Sequence, residues 1–131
     1  MARRTGGCLC GAVRFEALGE PLNVRLCHCR QCQRAMGSPF FARALFPQSQ
    51  IRLTGATASH ATSEWLERVF CPACGCRIMA SRADGSRSGL ALALFDDPDA
   101  FTPECHMFTA EKVGWLVLAD GLPQFPGRPP D

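Results

Sequence analysis

Hydrophobic and polar positions alternate with a period of two along most of this chain. From Ala12 to Ala17, Val13, Phe15 and Ala17 interleave with Arg14 and Glu16, the pattern of a strand with one buried face. Gly19 and Pro21 interrupt it, Val24 and Leu26 resume the alternation, and Phe40–Phe46 is an apolar, β-suited run closed by Pro47. Further short strands are predicted at Ile51–Thr54, Ala58–Ser63, Glu67–Phe70, Arg77–Ser81 and Gly89–Phe95, separated by Gly, Pro, Asp and Ser clusters. The segment with helical character is Cys29–Met36, rich in Arg and Gln and followed by Gly37 as a C-terminal stop. The pattern predicts a mainly β fold, mostly antiparallel, with one short helix.

A chain of 131 residues without an internal repeat fits one domain, predicted over residues 1–122. Residues 123–131 contain four prolines and are expected to form an extended, poorly ordered tail. With 47% hydrophobic and 20% charged residues the composition is globular, neither disordered nor fibrous. A net charge of +2 argues against a dedicated nucleic-acid binder. The longest apolar run, Leu90–Phe95, is too short to cross a bilayer, and Met1–Gly11 has no apolar stretch like that of a secretory signal. The expected location is cytoplasmic, without membrane attachment.

Nine cysteines change the picture, at positions 8, 10, 27, 29, 32, 71, 74, 76 and 105. An odd count in a chain long enough to build a core weighs against a disulfide framework and leaves metal binding or thiol chemistry. Cys71-Pro72-Ala73-Cys74-Gly75 has the form of a zinc knuckle, two thiolates aimed at one ion from a tight turn. Such a turn supplies only half of a closed site, and Cys8 and Cys10 are the natural partners. Two apart on a strand, they would share a face and reach the ligand spacing of about 3.8 Å that Zn–S bonds of about 2.3 Å impose.

Cys27-His28-Cys29-Arg30-Gln31-Cys32 places three more thiols at the start of the predicted helix, where backbone amides stabilise thiolates. With the other four cysteines used, this second site has three local ligands and an open fourth position, the mark of catalytic rather than structural zinc. The alternative is a second closed structural site completed by Cys76, Cys105, His28 or His106. Between Glu20 and Glu64 the chain has no acidic residue but five arginines, at 25, 30, 34, 43 and 52. They either balance the thiolate sites or, through Arg30 and Arg34 on one helical face, receive the carboxylates of an anionic thiol substrate.

Gly6-Gly7-Cys8-Leu9-Cys10-Gly11-Ala12-Val13-Arg14-Phe15, Cys27-His28-Cys29-Arg30-Gln31-Cys32-Gln33-Arg34 and Phe70-Cys71-Pro72-Ala73-Cys74-Gly75 together resemble three motifs of the glutathione-dependent formaldehyde-activating enzyme family, which includes centromere protein V. Trp115 and Asp120-Gly121-Leu122-Pro123-Gln124-Phe125 are similar to its closing segment. The resemblance implies a zinc-stapled, twisted β fold like that of methionine-R-sulfoxide reductases and Rab-interacting chaperones. It implies two Zn²⁺ sites, with Cys8, Cys10, Cys71 and Cys74 as structural ligands and Cys27, Cys29 and Cys32 as catalytic-type ligands. It further implies a carbon–sulfur lyase joining formaldehyde to glutathione, or a similar small aldehyde to a similar thiol. Rival readings are a non-catalytic zinc module that binds a partner, and a redox switch in which Cys27, Cys29 and Cys32 form disulfides.

Some residues depart from the family pattern or stand outside it. Cys76 replaces an expected Ser and reads as a packed small residue, while His106, beside Cys105, reads as a structural hydrogen-bonder. His60 is expected to face solvent, and Asp96-Asp97-Pro98-Asp99 to form a turn with capping carboxylates rather than a cation site. His28 is the one general-base candidate near the second cluster.

Overall fold

The computed structural model describes residues 1–130: ten strands and one α-helix, with the strands in two open sheets. The smaller sheet has the order β1-β2-β5, from β1 (Arg3–Gly7), β2 (Arg14–Leu18) and β5 (Ile51–Thr54). The larger runs β10-β3-β4-β9-β8-β7-β6. Its strands are β3 (Asn23–Cys27), β4 (Phe41–Pro47), β6 (Ala58–Ala61), β7 (Leu66–Phe70), β8 (Arg77–Arg82), β9 (Arg87–Ala91) and β10 (Cys105–Met107). The mainly β reading is correct, with one topological addition: β10 lies parallel to β3, whereas the other strand pairs are antiparallel.

Three elements differ from the periodicity, each for a local reason. β1 has the sequence Arg-Arg-Thr-Gly-Gly, which carries no alternation, yet it pairs with β2 along its whole length. Gly6 is needed there, since a Cβ would come within 2.3 Å of both the Phe15 ring and the Leu94 carbonyl oxygen. The apolar run Gly89–Phe95 is divided, β9 ending at Ala91 and Leu92–Leu94 turning as a 3-10 helix. β10 is only three residues long and owes its pairing to tertiary context.

The helix α1 (Arg30–Met36) matches its sequence signals. Cys29 is the N-cap, its sulfur accepting the Cys32 N–H at 3.3 Å, and Gly37 ends the helix at φ 61°, donating its N–H to the Gln33 carbonyl.

The larger sheet has two differently used faces. On one, Val24, Ala44, Phe46, Ile78 and Leu90 pack against Val13, Phe15 and Ala17 of the smaller sheet. Phe15, Phe95, Phe101 and Phe46 extend this core edge to face at centroid distances of 5.1, 5.1 and 6.0 Å. Burying side chains of this size contributes about 1.5–3 kcal/mol each. On the other face, Phe41, Arg43 and Leu45 alternate with the core residues of β4, and Cys27, Cys32, Phe41, Ala91 and Met107 form a second buried cluster. Register brings a row together across four strands: Leu45 opposite Gly89, Gly89 opposite Ala80, and Ala80 opposite Arg68.

The Pro-rich end of the chain runs extended beside β10. His106 donates its N–H to the Pro123 carbonyl and accepts from Phe125, and the Phe108 N–H reaches the Gly127 carbonyl.

Candidate functional site

Seven of the nine cysteines gather in two groups, each with its sulfurs within 4.8 Å of one another. The first unites Cys8 and Cys10 with Cys71 and Cys74. Contrary to the strand geometry expected of them, Cys8 and Cys10 sit on the turn between β1 and β2, where Gly11 adopts φ 82°. Cys71 and Cys74 occupy the turn between β7 and β8, closed by the Gly75 N–H to the Cys71 carbonyl at 2.8 Å with Gly75 at φ 75°. Cys8 and Cys10 have sulfurs 3.7 Å apart, and Cys10 and Cys71 3.8 Å apart, the edge length of a tetrahedron of thiolates around zinc. The Val13 N–H, donating to the Cys8 sulfur at 3.3 Å, lowers that thiol to about 6. Each sheet supplies one turn, so an ion here would join the sheets.

The second group is Cys27 at the end of β3, Cys29 at the N-cap of α1 and Cys32 in its first turn. Cys27 donates to the Cys29 sulfur at 3.4 Å. Together with Cys32 this bond holds the Cys29 thiol far below its ordinary range, while the Cys27 thiol is pushed up by its neighbours. Among the described residues, no fourth His, Cys, Asp or Glu joins the group. An all-sulfur donor set of this spacing fits zinc in both groups, closed at four ligands in the first and open at three in the second.

The residues considered as a fourth ligand are engaged elsewhere. His28 is fully buried, and its Nε2 lies 2.8 Å from Nδ1 of His106, whose Nε2 lies 2.7 Å from an Asp120 carboxylate oxygen. Burial, then the neighbouring His106, lowers the His28 pKa. Gln33, also buried, donates to the carbonyls of His28 and Glu111 and fixes the loop between β3 and α1. Cys76 packs against the core as expected, and Cys105 is buried on β10. His60 is exposed, and Asp96 and Asp97 accept from Arg14, Thr5 and the Asp99 N–H within a turn.

Cys27, Cys29 and Cys32 open into a cavity of about 240 Å³ on the second face of the large sheet. Five arginines line it, Arg43, Arg68, Arg82, Arg87 and Arg128, with no Asp or Glu. Neither Arg30 nor Arg34, the arginines predicted to face a substrate, belongs to this lining; both are exposed, and the Arg30 guanidinium bonds Gln33. His28 is likewise outside it.

Arg68 is the residue the sequence concealed. Only 6% exposed, it donates to Gln31 at 3.4 Å and to the Cys32 sulfur at 3.6 Å, while its Nε and Nη1 have no partner. A buried guanidinium with idle donors is costly unless a ligand meets them. Its signal was present in part, as a charge within a β-suited run, but the thiol it touches lies 36 residues away.

The chain as a whole is similar to known proteins. An uncharacterized lyase of Schizosaccharomyces pombe is 27% identical over 131 residues, covering 86% of this chain and 96% of its own. A crystal structure of a Rhodobacter sphaeroides protein superposes with a TM-score of 0.60 at 26% identity, over 76% of this chain and 97% of that one. Residues 3–111, which contain both cysteine groups and Arg68, match the family described as glutathione-dependent formaldehyde-activating enzyme, and this chain belongs to that family.

Proposed function

We propose that the protein catalyses reversible addition of a glutathione-like thiol to a small aldehyde, as a carbon–sulfur lyase of the formaldehyde-activating type. The observation that carries this reading is the three-cysteine group without a fourth ligand at the wall of a cationic cavity. Zinc held by Cys27, Cys29 and Cys32 would bind a thiol at its open position and favour its ionised form. In the addition, the thiol loses its proton, its sulfur forms a bond to the aldehyde carbon, and the carbonyl π pair moves to oxygen, which takes up a proton. Cleavage is the reverse.

The chain's own residues prepare the rest. Arg68 offers two unpartnered donors beside Cys32, suited to an oxygen that gains negative charge. The cavity arginines attract an anionic thiol and orient it. His28 acts at a distance from the reacting atoms, holding the Cys27–Cys29 loop through His106 and Asp120. Cys8, Cys10, Cys71 and Cys74 staple the fold.

Two-dimensional exchange NMR on formaldehyde and glutathione, with and without zinc-loaded protein, tests the reading. Faster adduct exchange that disappears in a Cys29→Ser variant is the expected result. A protein holding two zincs that leaves the exchange rate unchanged with this and other small thiols would instead be a binding module.

A further inference from the structure

Resting on the thiol-addition reading, we infer that the cavity takes a thiol whose remote groups are all anionic, a carrier with two or more carboxylates or phosphates and no ammonium. Strand alternation places one arginine at a time on the same face, Arg43 from β4, Arg82 from β8 and Arg87 from β9, and Arg128 approaches from the chain end. Gly89 permits this arrangement, since a Cβ there would lie 2.5 Å from Cδ of Arg43, whose stem runs across β9. Arg43 stands directly opposite Arg25 in the register of β3 and β4, a like-charge pairing that strands ordinarily avoid. Burial lowers Arg43 to about 10, and its Nη1 donates to the neutral side-chain oxygen of Asn23.

These cations are more than a balance for thiolates. An adjoining hollow of about 70 Å³ is lined by Arg43, Arg82, Arg87 and Arg128 but by none of the three cysteines. A positive pole therefore extends beyond the sulfur cluster, where the far end of a bound thiol would lie. Arg68 guards the sulfur end, so negative charge is favoured at both ends of the ligand. Glutathione matches this poorly at one point: its ammonium would enter a lining of guanidinium groups that contains no carboxylate to receive it.

The test compares glutathione with glutaryl-cysteinylglycine, the same molecule without its amino group, by isothermal titration calorimetry on the zinc-loaded protein at low salt. The deaminated thiol is expected to bind about tenfold tighter or more, and added salt to erode the difference. In an Arg82→Ser/Arg87→Ser variant, altered at the ends of β8 and β9 and checked for zinc content and thermal midpoint, the preference should shrink to within about twofold. Equal or tighter binding of glutathione by the unaltered protein overturns the inference and leaves thiol addition standing if exchange is still accelerated. Failure of both thiols to bind, with no acceleration, overturns both readings.

Discussion

The two cysteine groups set the same atoms in different surroundings. The four-sulfur group draws one turn from each sheet, and its sulfurs lie at the spacing that four thiolates take around one ion. The three-sulfur group draws all its thiols from the junction of β3 and α1, has one sulfur fewer, and faces a cavity. A metal held by the first would crosslink distant parts of the chain and so contribute mainly to folding. A metal held by the second would crosslink only six residues, from Cys27 to Cys32, and could contribute little to the fold by closing a loop. What separates the two groups is where their thiols come from in the chain and which side chains stand behind them.

The contrast makes graded expectations. Cys71→Ser should lower the thermal midpoint by about 10 °C or more and cut bound zinc by about half, because structural zinc contributes folding energy outright. A melt showing less than about 2 °C of loss would mean that the turns hold without the ion. Cys29→Ser should reverse the balance, reducing adduct exchange by about 100-fold or more with a far smaller change in midpoint. Equal thermal losses for the two variants would erase the distinction.

His106→Ala is the intermediate case. It leaves the Nε2 of buried His28 without its partner, at a cost of about 1–3 kcal/mol, and should lower the midpoint by roughly 5 °C or more. Because it acts on the loop between two ligands, exchange should fall by about tenfold, an effect that an equally destabilising core substitution such as Ile78→Ala would not reproduce.

The smallest effect belongs to Asp96, beside the β1–β2 sheet. Hydrogen bonds from Arg14 and then Thr5 hold its carboxyl at about 2, below an unfolded value of about 3.9. Its contribution is therefore complete above the unfolded value and lost as pH falls from there toward 2. The midpoint difference between the unaltered protein and Asp96→Asn should stay small and constant from pH 8 to 5 and narrow only below about pH 4, by calorimetry.

The sequence revealed the cysteine groups better than it revealed their surroundings. Cys71 and Cys74, and Cys27, Cys29 and Cys32, are close in sequence because a turn or helix start suffices to aim them, so spacing exposes them. β5 was legible to the residue, since Ile51 and Leu53 alternate between turn residues. β1 was hidden because glycine marks its buried position, and β10 because three residues hold no period. The arginines misled for a related reason. A contiguous stretch pointed to Arg30 and Arg34 on an exposed helical face, whereas the cavity collects its cations from separate strands by cross-strand register, which no local window contains.

The proline-rich end has a consequence for how this protein meets its own copies. β10 is the border strand of the large sheet, and the outward N–H and carbonyl of its His106 are already engaged by Pro123 and Phe125. Pro123 and Pro126 in that covering segment have no N–H to extend the ladder, so this border offers a broken row to another strand. A protease cut after Leu122 would uncover this border and add a second open edge to the one at β6, raising the tendency to edge-to-edge aggregation.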